Sequence, residues 1–346
     1  MPIKPKTVNM FVNVLLIIFI AACIIFIFYH DFITKEGLTP NDIENSSKCN
    51  NFDAVKKNVN IKNINYDLYS KYRFKDVYIK TAYNSCCVGY FSNDYVDLCS
   101  LYNVLKQGVR CLDFEIRSIN SKPHVTCSTN DNNYFKESYN SLDLEDVFKT
   151  INMYAFELPV LNFNDPLILH FRIKSTNVVM YENFTKTLLK HFKNKLLPEN
   201  FQFENNGKNF GDTLLIDLLN SVIIIVDKSN SFYQNTDLFK YVNASTNSAK
   251  FKMLYNKDLL NLDKKQLVEY NKDNMSIILP DLTNKIYNLN GVDCFNYGIQ
   301  MVGMNYQNYD DNLKNIIEYF DSNEKAFVLK PINQLNTKHV LKVSDK

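Results

Sequence analysis

The sequence predicts a parallel (β/α)8 barrel of the TIM type, preceded by one transmembrane helix. Three observations carry this expectation. From about Val77 onward, short β-rich runs alternate with stretches of helical periodicity, the order that builds a parallel sheet covered by helices. The runs are apolar on both sides, as barrel strands between a packed interior and a helical layer must be. Ahead of them, Met10 to Tyr29 carries no charged residue over the ~20 positions that span a bilayer core.

Taken in order, residues 1–9 form a short N-terminus with Lys4 and Lys6, and 10–29 form the anchor. A cleaved signal peptide would have a shorter apolar region followed by a small-residue cleavage site. The IAAC stretch at Ile20–Cys23 has that flavour, but the apolar run continues past it. Lys4 and Lys6 precede the span while Asp31, Lys35 and Glu36 follow, so the positive-inside rule puts the N-terminus in the cytoplasm and the barrel across the membrane. Residues 30–76 are polar and read as a stalk. The barrel occupies 77–332, and 333–346 form a tail.

Eight strand candidates lie in that barrel: VYIKTAY, VRCLDFEI, PHVTC, PLILHFRI, VIIIVDK, SIILP, GIQMVGMN and KAFVLKP. Helical periodicity separates them in DYVDLCSLYNVLKQG, LEDVFKTINMYAF, Met180 to Phe192, DTLLIDLLN, LDKKQLVEY and YDDNLKNIIEYF. Composition adds limits. The net charge of +2 is the small difference between 39 basic and 37 acidic residues, so no chain-wide field favours nucleic acid. The abundance of Asn, Lys and Ile fits an AT-rich genome, and it makes the sequons at Asn45, Asn183, Asn243 and Asn274 expected by chance. The 8 cysteines lack CxxC spacing, so they are neither a zinc signature nor a disulfide framework.

The period of two puts Cys111, Asp113 and Glu115 on one face of the second strand and Leu112, Phe114 and Ile116 on the other. The apolar face packs on helices, so the carboxylates point inward. On the fourth strand the same counting turns His170 and Arg172 inward, with Arg172 facing the acids. Such an acid pair reads as a cation or acid–base site, or as an ion pair with Arg110 or Arg117.

The stretch TAYNSCCVGY…LYNVLKQGVRCLDFEIRS resembles the X region of eukaryotic phosphoinositide-specific phospholipase C, with its S-H-N-T-Y and G-C-R-C-V-E-L-D pattern. GIQMVGMNYQNYDDNLKNIIEYFDSNEKAFVLKP, Gly298 to Pro331, resembles the Y region. The Tyr83-Asn84 version is similar to phospholipase C-like proteins of large DNA viruses of protists. The resemblance implies two histidines for acid–base work and a calcium ion held by Asn and carboxylate oxygens. The first histidine falls on Tyr83, the second on Cys127, and neither replacement titrates as imidazole does near neutrality. His124, three residues before Cys127, faces the other side of its strand. Of the calcium positions, Asn84 is kept, Asp113 and Glu115 stand in reversed order, and Arg172 replaces the last glutamate. Lys228 falls on a headgroup-gripping lysine and Tyr287 on a ring-stacking tyrosine; a solvated lysine and a half-buried tyrosine are the plainer readings. A disulfide among Cys86, Cys87 and Cys127 is a further option.

The resemblance thus implies a membrane-anchored phospholipase C-like protein, degenerate in catalysis, without calcium unless the family site is retained, that binds a membrane lipid through a phosphoinositide or other anionic headgroup. The alternatives are an active calcium-independent phosphodiesterase using Tyr83, Arg172 and the acid pair, and a structural virion or surface protein with the barrel as scaffold.

Overall fold

The computed structural model describes residues 59–130, 135–156 and 160–336, together with four isolated positions at 19, 20, 22 and 49. The chain divides into two compact units, 1–51 and 52–346. In the first unit the described positions are helical. No helix among the described residues is long and apolar enough to cross a membrane. The anchor expected at 10–29 lies almost wholly outside the described residues, as do most of the stalk and the end of the tail.

The second unit is a nearly closed parallel barrel. Its strands are β1 (Val77–Ala82), β2 (Cys111–Ile119), β5 (Leu167–Lys174), β6 (Val222–Asp227), β7 (Ala244–Thr246), β8 (Phe251–Tyr255), β9 (Met275–Leu279) and β10 (Met301–Met304). The hydrogen-bonded path runs β7-β6-β5-β2-β1-β10-β9-β8, so β7 and β8 stand at its two ends. Two of the eight expected strands lie elsewhere. PHVTC contains β3 (Lys122–Thr126), which folds back antiparallel on the extended end of β2 and then pairs with the short β4 (Leu142–Asp143). Asn120 and Ser121, at φ 50° and 60°, form the two-residue turn that reverses the chain. KAFVLKP contains β11 (Phe327–Leu329), which lies antiparallel to the start of β1 at the barrel's N-terminal end. The missing barrel strands are β7 and β8: AST is too short and polar, and FKMLY too short and interrupted by Lys252, to show the unbroken apolar run that marks a strand buried on both sides.

The βα connections follow local chemistry. Helices α1 (Leu98–Lys106), α2 (Leu144–Tyr154), α3 (Val178–Phe192), α4 (Lys264–Asp273), α5 (Gly291–Phe295) and α6 (Asp311–Ser322) each begin with an Asp or Asn. That side chain accepts a backbone N–H of the first turn, satisfying one orphan donor. On α2, Leu144, Val147, Phe148 and Ile151 are buried, the spacing of one helical face. The stretch DTLLIDLLN, expected as a helix, makes only a short 3-10 turn at Leu215–Leu218. It buries Leu215 and Leu218 just ahead of β6.

Candidate functional site

The parallel ladder between β2 and β5 sets Asp113 level with His170, Glu115 with Arg172 and Arg117 with Lys174. Partners in register share a face, so these pairs form successive layers rising toward the C-terminal mouth, where barrel active sites lie. The inward placement expected for Asp113, Glu115, His170 and Arg172 is what the contacts show. His170 Nδ1 lies 2.8 Å from Asp113 Oδ2 and its Nε2 lies 3.1 Å from Thr246 Oγ1 on β7, so this histidine is tied into the core.

Above it sits the Arg172 guanidinium. Its Nη2 donates to Asp113 Oδ1 at 2.9 Å and to Asn84 Oδ1, and its Nε donates to Asp113 Oδ2 at 3.1 Å. Nη1 lies 3.9 Å from Glu115 Oε2, and the Tyr83 ring lies 4.9 Å from the guanidinium carbon, a buried cation–π contact. Asn84 holds φ 42°, a left-handed conformation tolerated by Asn, and its N–H donates to Asp113 Oδ1. Burial alone would push the Asp113 carboxyl up; Arg172 and His170 outweigh it and hold it at about 2. Burial also opposes charge on Arg172, but Asp113, with Tyr83 and Glu115, keeps that group well above its ordinary value. Tyr83 is pushed far up by burial, against the opposing pull of Arg172.

Glu115 is saturated from its other side. Its Oε1 accepts from Arg117 Nε at 3.0 Å and Thr126 Oγ1 at 2.8 Å, and its Oε2 accepts from Ser128 Oγ. The plainer reading of an ion pair with Arg117 therefore holds alongside the Arg172 contact. Cys127 is buried, its thiol raised well above the ordinary range by burial and by Cys87 beside it. Cys86, Cys87 and Cys127 are free thiols. His124 bonds Ser141 Oγ through Nδ1 at 3.2 Å.

The structure brings Tyr83, Asn84, Asp113, Glu115 and Arg172 into one cluster and ties Lys228 and Tyr287 to other partners. Lys228 Nζ lies 3.4 Å from Glu204 Oε2, and the Tyr287 hydroxyl donates to Asp281 Oδ2 at 2.7 Å within its own loop. Thr126, Ser128 and Thr246 are site residues that strand counting could not supply. The first two depend on the β2–β3 hairpin and the third on a strand with no apolar signature.

The family named above uses a calcium ion, and these residues do not fit one. A hard cation needs several free oxygen ligands. Here the oxygens of Asp113 and Glu115 already accept from Arg172, His170, Arg117, Thr126, Ser128 and the Asn84 N–H. The orphaned polar atoms have the opposite sense: Tyr83 Oη, Asn84 Nδ2 and Arg172 Nη1 are buried without a hydrogen-bond partner among the described residues. All three can donate, so the cluster is short of acceptors.

Residues 71–228 match the X domain of phosphatidylinositol-specific phospholipase C, and residues 220–333 match its Y domain. Among solved structures, PLC21 of L. pealei is 18% identical with a TM-score of 0.62, over 75% of this chain and 37% of that one. PLC21 of S. officinalis is 17% identical with the same TM-score, over 75% and 37%. This chain thus spans little more than a third of the length of those proteins, and at such identity the likeness is one of fold. No curated protein matches the chain.

Proposed function

Because the chain belongs to the phosphatidylinositol-specific phospholipase C family, we propose that it is a member that has lost phosphodiester hydrolysis but still takes an anionic headgroup, a phosphoinositide or similar lipid, at the barrel mouth. The observation that carries this reading is the closed network around Arg172. Its acids are matched by cations, its free polar atoms are donors, and neither Tyr83 nor Cys127 can exchange a proton near neutral pH, since burial pushes both up. General acid–base groups contribute about 10²–10⁴-fold each, so the loss of two removes several decades of rate.

In this reading Arg172 stands in the place of calcium, and Asn84, Asp113 and Glu115 orient it. Lys228 takes a headgroup phosphate by exchanging Glu204 for it, and Tyr287 borders the same mouth. The anchor at 10–29 belongs to the same proposal, holding the barrel on the lumenal, extracellular or virion side. The kinship with viruses of protists rests on the Tyr83-Asn84 pair and the composition alone. The test measures inositol-phosphate release from phosphatidylinositol and its bisphosphate, with and without calcium. No release is the expected result. Tyr83→His, Cys127→His and Arg172→Glu together should recover some calcium-dependent turnover. Robust turnover by the unaltered chain, abolished by Arg172→Ala, would establish the calcium-independent phosphodiesterase instead.

A further inference from the structure

The Arg172 cluster is shut. Tyr83, Asn84, Asp113, Glu115 and Arg172 are each at most 2% exposed, so the guanidinium is closed to solvent in this conformation. The connection from β1 to α1 supplies the cover over Tyr83. Its residues 88–95 close on themselves: the Val88 N–H donates to the Tyr95 carbonyl at 3.3 Å, and the Asp94 carboxylate accepts the Tyr90 and Tyr95 N–H groups at 2.8 and 2.9 Å. Gly89 admits that carboxylate, since a Cβ there would stand 2.1 Å from Asp94 Oδ2. Neighbours in this loop differ sharply in burial. Tyr90 is 57% exposed, whereas Phe91 is 1% exposed and stands edge-on to the Tyr83 ring, with centroids 5.4 Å apart. Tyr83 in turn lies against Arg172. The three side chains form a file from Phe91 through Tyr83 to the guanidinium.

A few polar bonds hold the loop down. Ser92 Oγ donates to Asn284 Oδ1 in the loop after β9. From the loop after β10, Gln307 Nε2 donates to the Gly89 carbonyl at 3.3 Å. On the side of β3, the Asn93 N–H donates to the Glu137 carbonyl at 2.9 Å, and the Asp94 carbonyl accepts the Tyr139 N–H at 2.8 Å. The loop is pinched off where Cys87 bridges Val96, and the Cys87 thiol lies 3.4 and 3.5 Å from the carbonyls of Gly89 and Tyr90. Bonds within the loop travel with it when it lifts, and those to its surroundings break. Beneath it, Tyr83 Oη and Arg172 Nη1 have no partner among the described residues. The closed state therefore leaves two donors that an oxyanion would satisfy.

We propose that residues 88–95 are a plug with Phe91 as its stopper, and that the plug must lift about Cys87 and Val96 before the oxygens of a phosphate ester can reach Arg172 and Tyr83. The inference rests on the reading above for its ligand, whereas the movement of the plug does not depend on it. Apparent affinity is then the intrinsic affinity reduced by the open fraction. Whatever loosens the loop tightens binding by the factor through which it raises that fraction.

The test uses the full chain. Alkylation of each thiol by iodoacetamide is followed by mass spectrometry without ligand. Cys87 and its neighbour Cys127 report the plug, and the buried Cys111 and Cys294 report global opening. Ser92→Ala and Gln307→Ala each remove one bond from the loop to its surroundings and should speed labelling of Cys87 and Cys127 about fivefold. Phe91→Ala removes the stopper and should speed it about a hundredfold. Cys111 and Cys294 should stay protected throughout. Binding is then measured in two settings: the detergent-solubilised chain with inositol trisphosphate, and the chain in phosphatidylcholine nanodiscs with or without phosphatidylinositol monophosphate. It should tighten by the same factors as the labelling. A gain with the soluble probe alone assigns a free phosphate ester, and in the nanodisc alone a lipid headgroup; either supports the plug. If Phe91→Ala does not fold, the two loop-bond variants carry the test. Labelling unmoved in every variant, or rising only together with that of Cys111 and Cys294, overturns the proposal. Binding by the unaltered chain as tight as by the faster-labelled variants overturns it too. Faster labelling with no phosphate ester bound by any variant would keep the plug and remove the headgroup reading.

Discussion

Arg172→Ala is the most informative single change, because among the described residues it removes the only cation in contact with both Asp113 and Asn84. The guanidinium has two bonds of 2.9 and 3.1 Å to Asp113, one to Asn84 Oδ1, and lies 3.9 Å from Glu115. Removing one partner of a buried pair costs about 3–5 kcal/mol, because the other charge remains buried. Asp113 keeps His170, and Glu115 keeps Arg117, Thr126 and Ser128, so the lower part of that range applies. For a barrel of this size each kcal/mol moves the thermal midpoint by about 2 °C, giving a drop of about 6–8 °C. The acid limb should move too. Asp113 is held at about 2 against an ordinary 3.8. A depressed carboxyl contributes stability above its unfolded value, and that stability is lost as pH falls through its folded value. The contribution, about 2 kcal/mol, should vanish between roughly pH 4 and 2 in the unaltered chain and be largely absent from the variant. Calorimetry with and without calcium completes the assay. Calcium should leave the midpoint of the unaltered chain unmoved and raise that of Arg172→Ala little, because only the Asp113 and Asn84 oxygens that Arg172 held are released while Glu115 still accepts from Arg117, Thr126 and Ser128. A loss below about 1 kcal/mol, or calcium stabilisation of the unaltered chain, would refute the account of Arg172 as the resident cation.

Three further outcomes are expected. Tyr83→Phe removes a buried hydroxyl that has no partner among the described residues, so chemical denaturation should show a neutral change or a gain of about 1 kcal/mol, whereas a catalytic tyrosine would reveal itself as lost turnover. At the barrel base, burial lowers Lys330 to about 7 and Lys80 to about 8, against the opposing pull of Asp76 and Asp321. The unfolded chain therefore binds more protons above those values, and stability should rise from pH 7 to 9 at up to about 1 kcal/mol per pH unit for each group, a slope that Lys330→Met should reduce. For topology, sealed vesicles with the cytoplasmic face outward should protect residues 31–346 from protease while an N-terminal tag is cleaved; the reverse pattern removes the anchor argument.

The centre of the barrel was legible because β2 and β5 are buried on both faces. Along them the only charged residues fall at alternate positions, and that period of two fixes which way they point. The rim was not legible. β7 is only Ala-Ser-Thr, and the five residues of β8 have their apolar run broken by Lys252, so at such short lengths hydrophobic alternation cannot separate a strand from a loop. β3 carries a strand pattern, but its place was decided by the Asn120-Ser121 turn, which sends it back along β2 and so delivers Thr126 and Ser128 to Glu115. The partner of Lys228 was hidden for another reason. Glu204 lies in a run from Phe203 to Asn206 with φ between 49° and 53°, left-handed backbone that neither Phe nor Glu favours and that the surrounding fold imposes.

Charge accounting explains how a single residue can separate a calcium site from this one. Asp113 and Glu115 carry two negative charges, and Arg172 with Arg117 supplies two positive ones, so the buried cluster is neutral. A glutamate at position 172, as the family resemblance implies for calcium-using members, would make three negative charges, which Arg117 and one divalent ion again bring to zero. The two arrangements are isoelectronic in net charge, although no intermediate substitution is. Arg172→Glu alone should therefore be poorly folded in chelator, because it buries two uncompensated negative charges, and calcium should rescue it. Binding at a hundredfold excess over the dissociation constant returns about 2.7 kcal/mol. The thermal midpoint of this variant should consequently depend steeply on calcium and only weakly on magnesium, whose small octahedral shell these strand-borne oxygens suit poorly. An Arg172→Glu chain that is stable in chelator and indifferent to calcium would show that the cluster's neutrality is not what holds the barrel centre together.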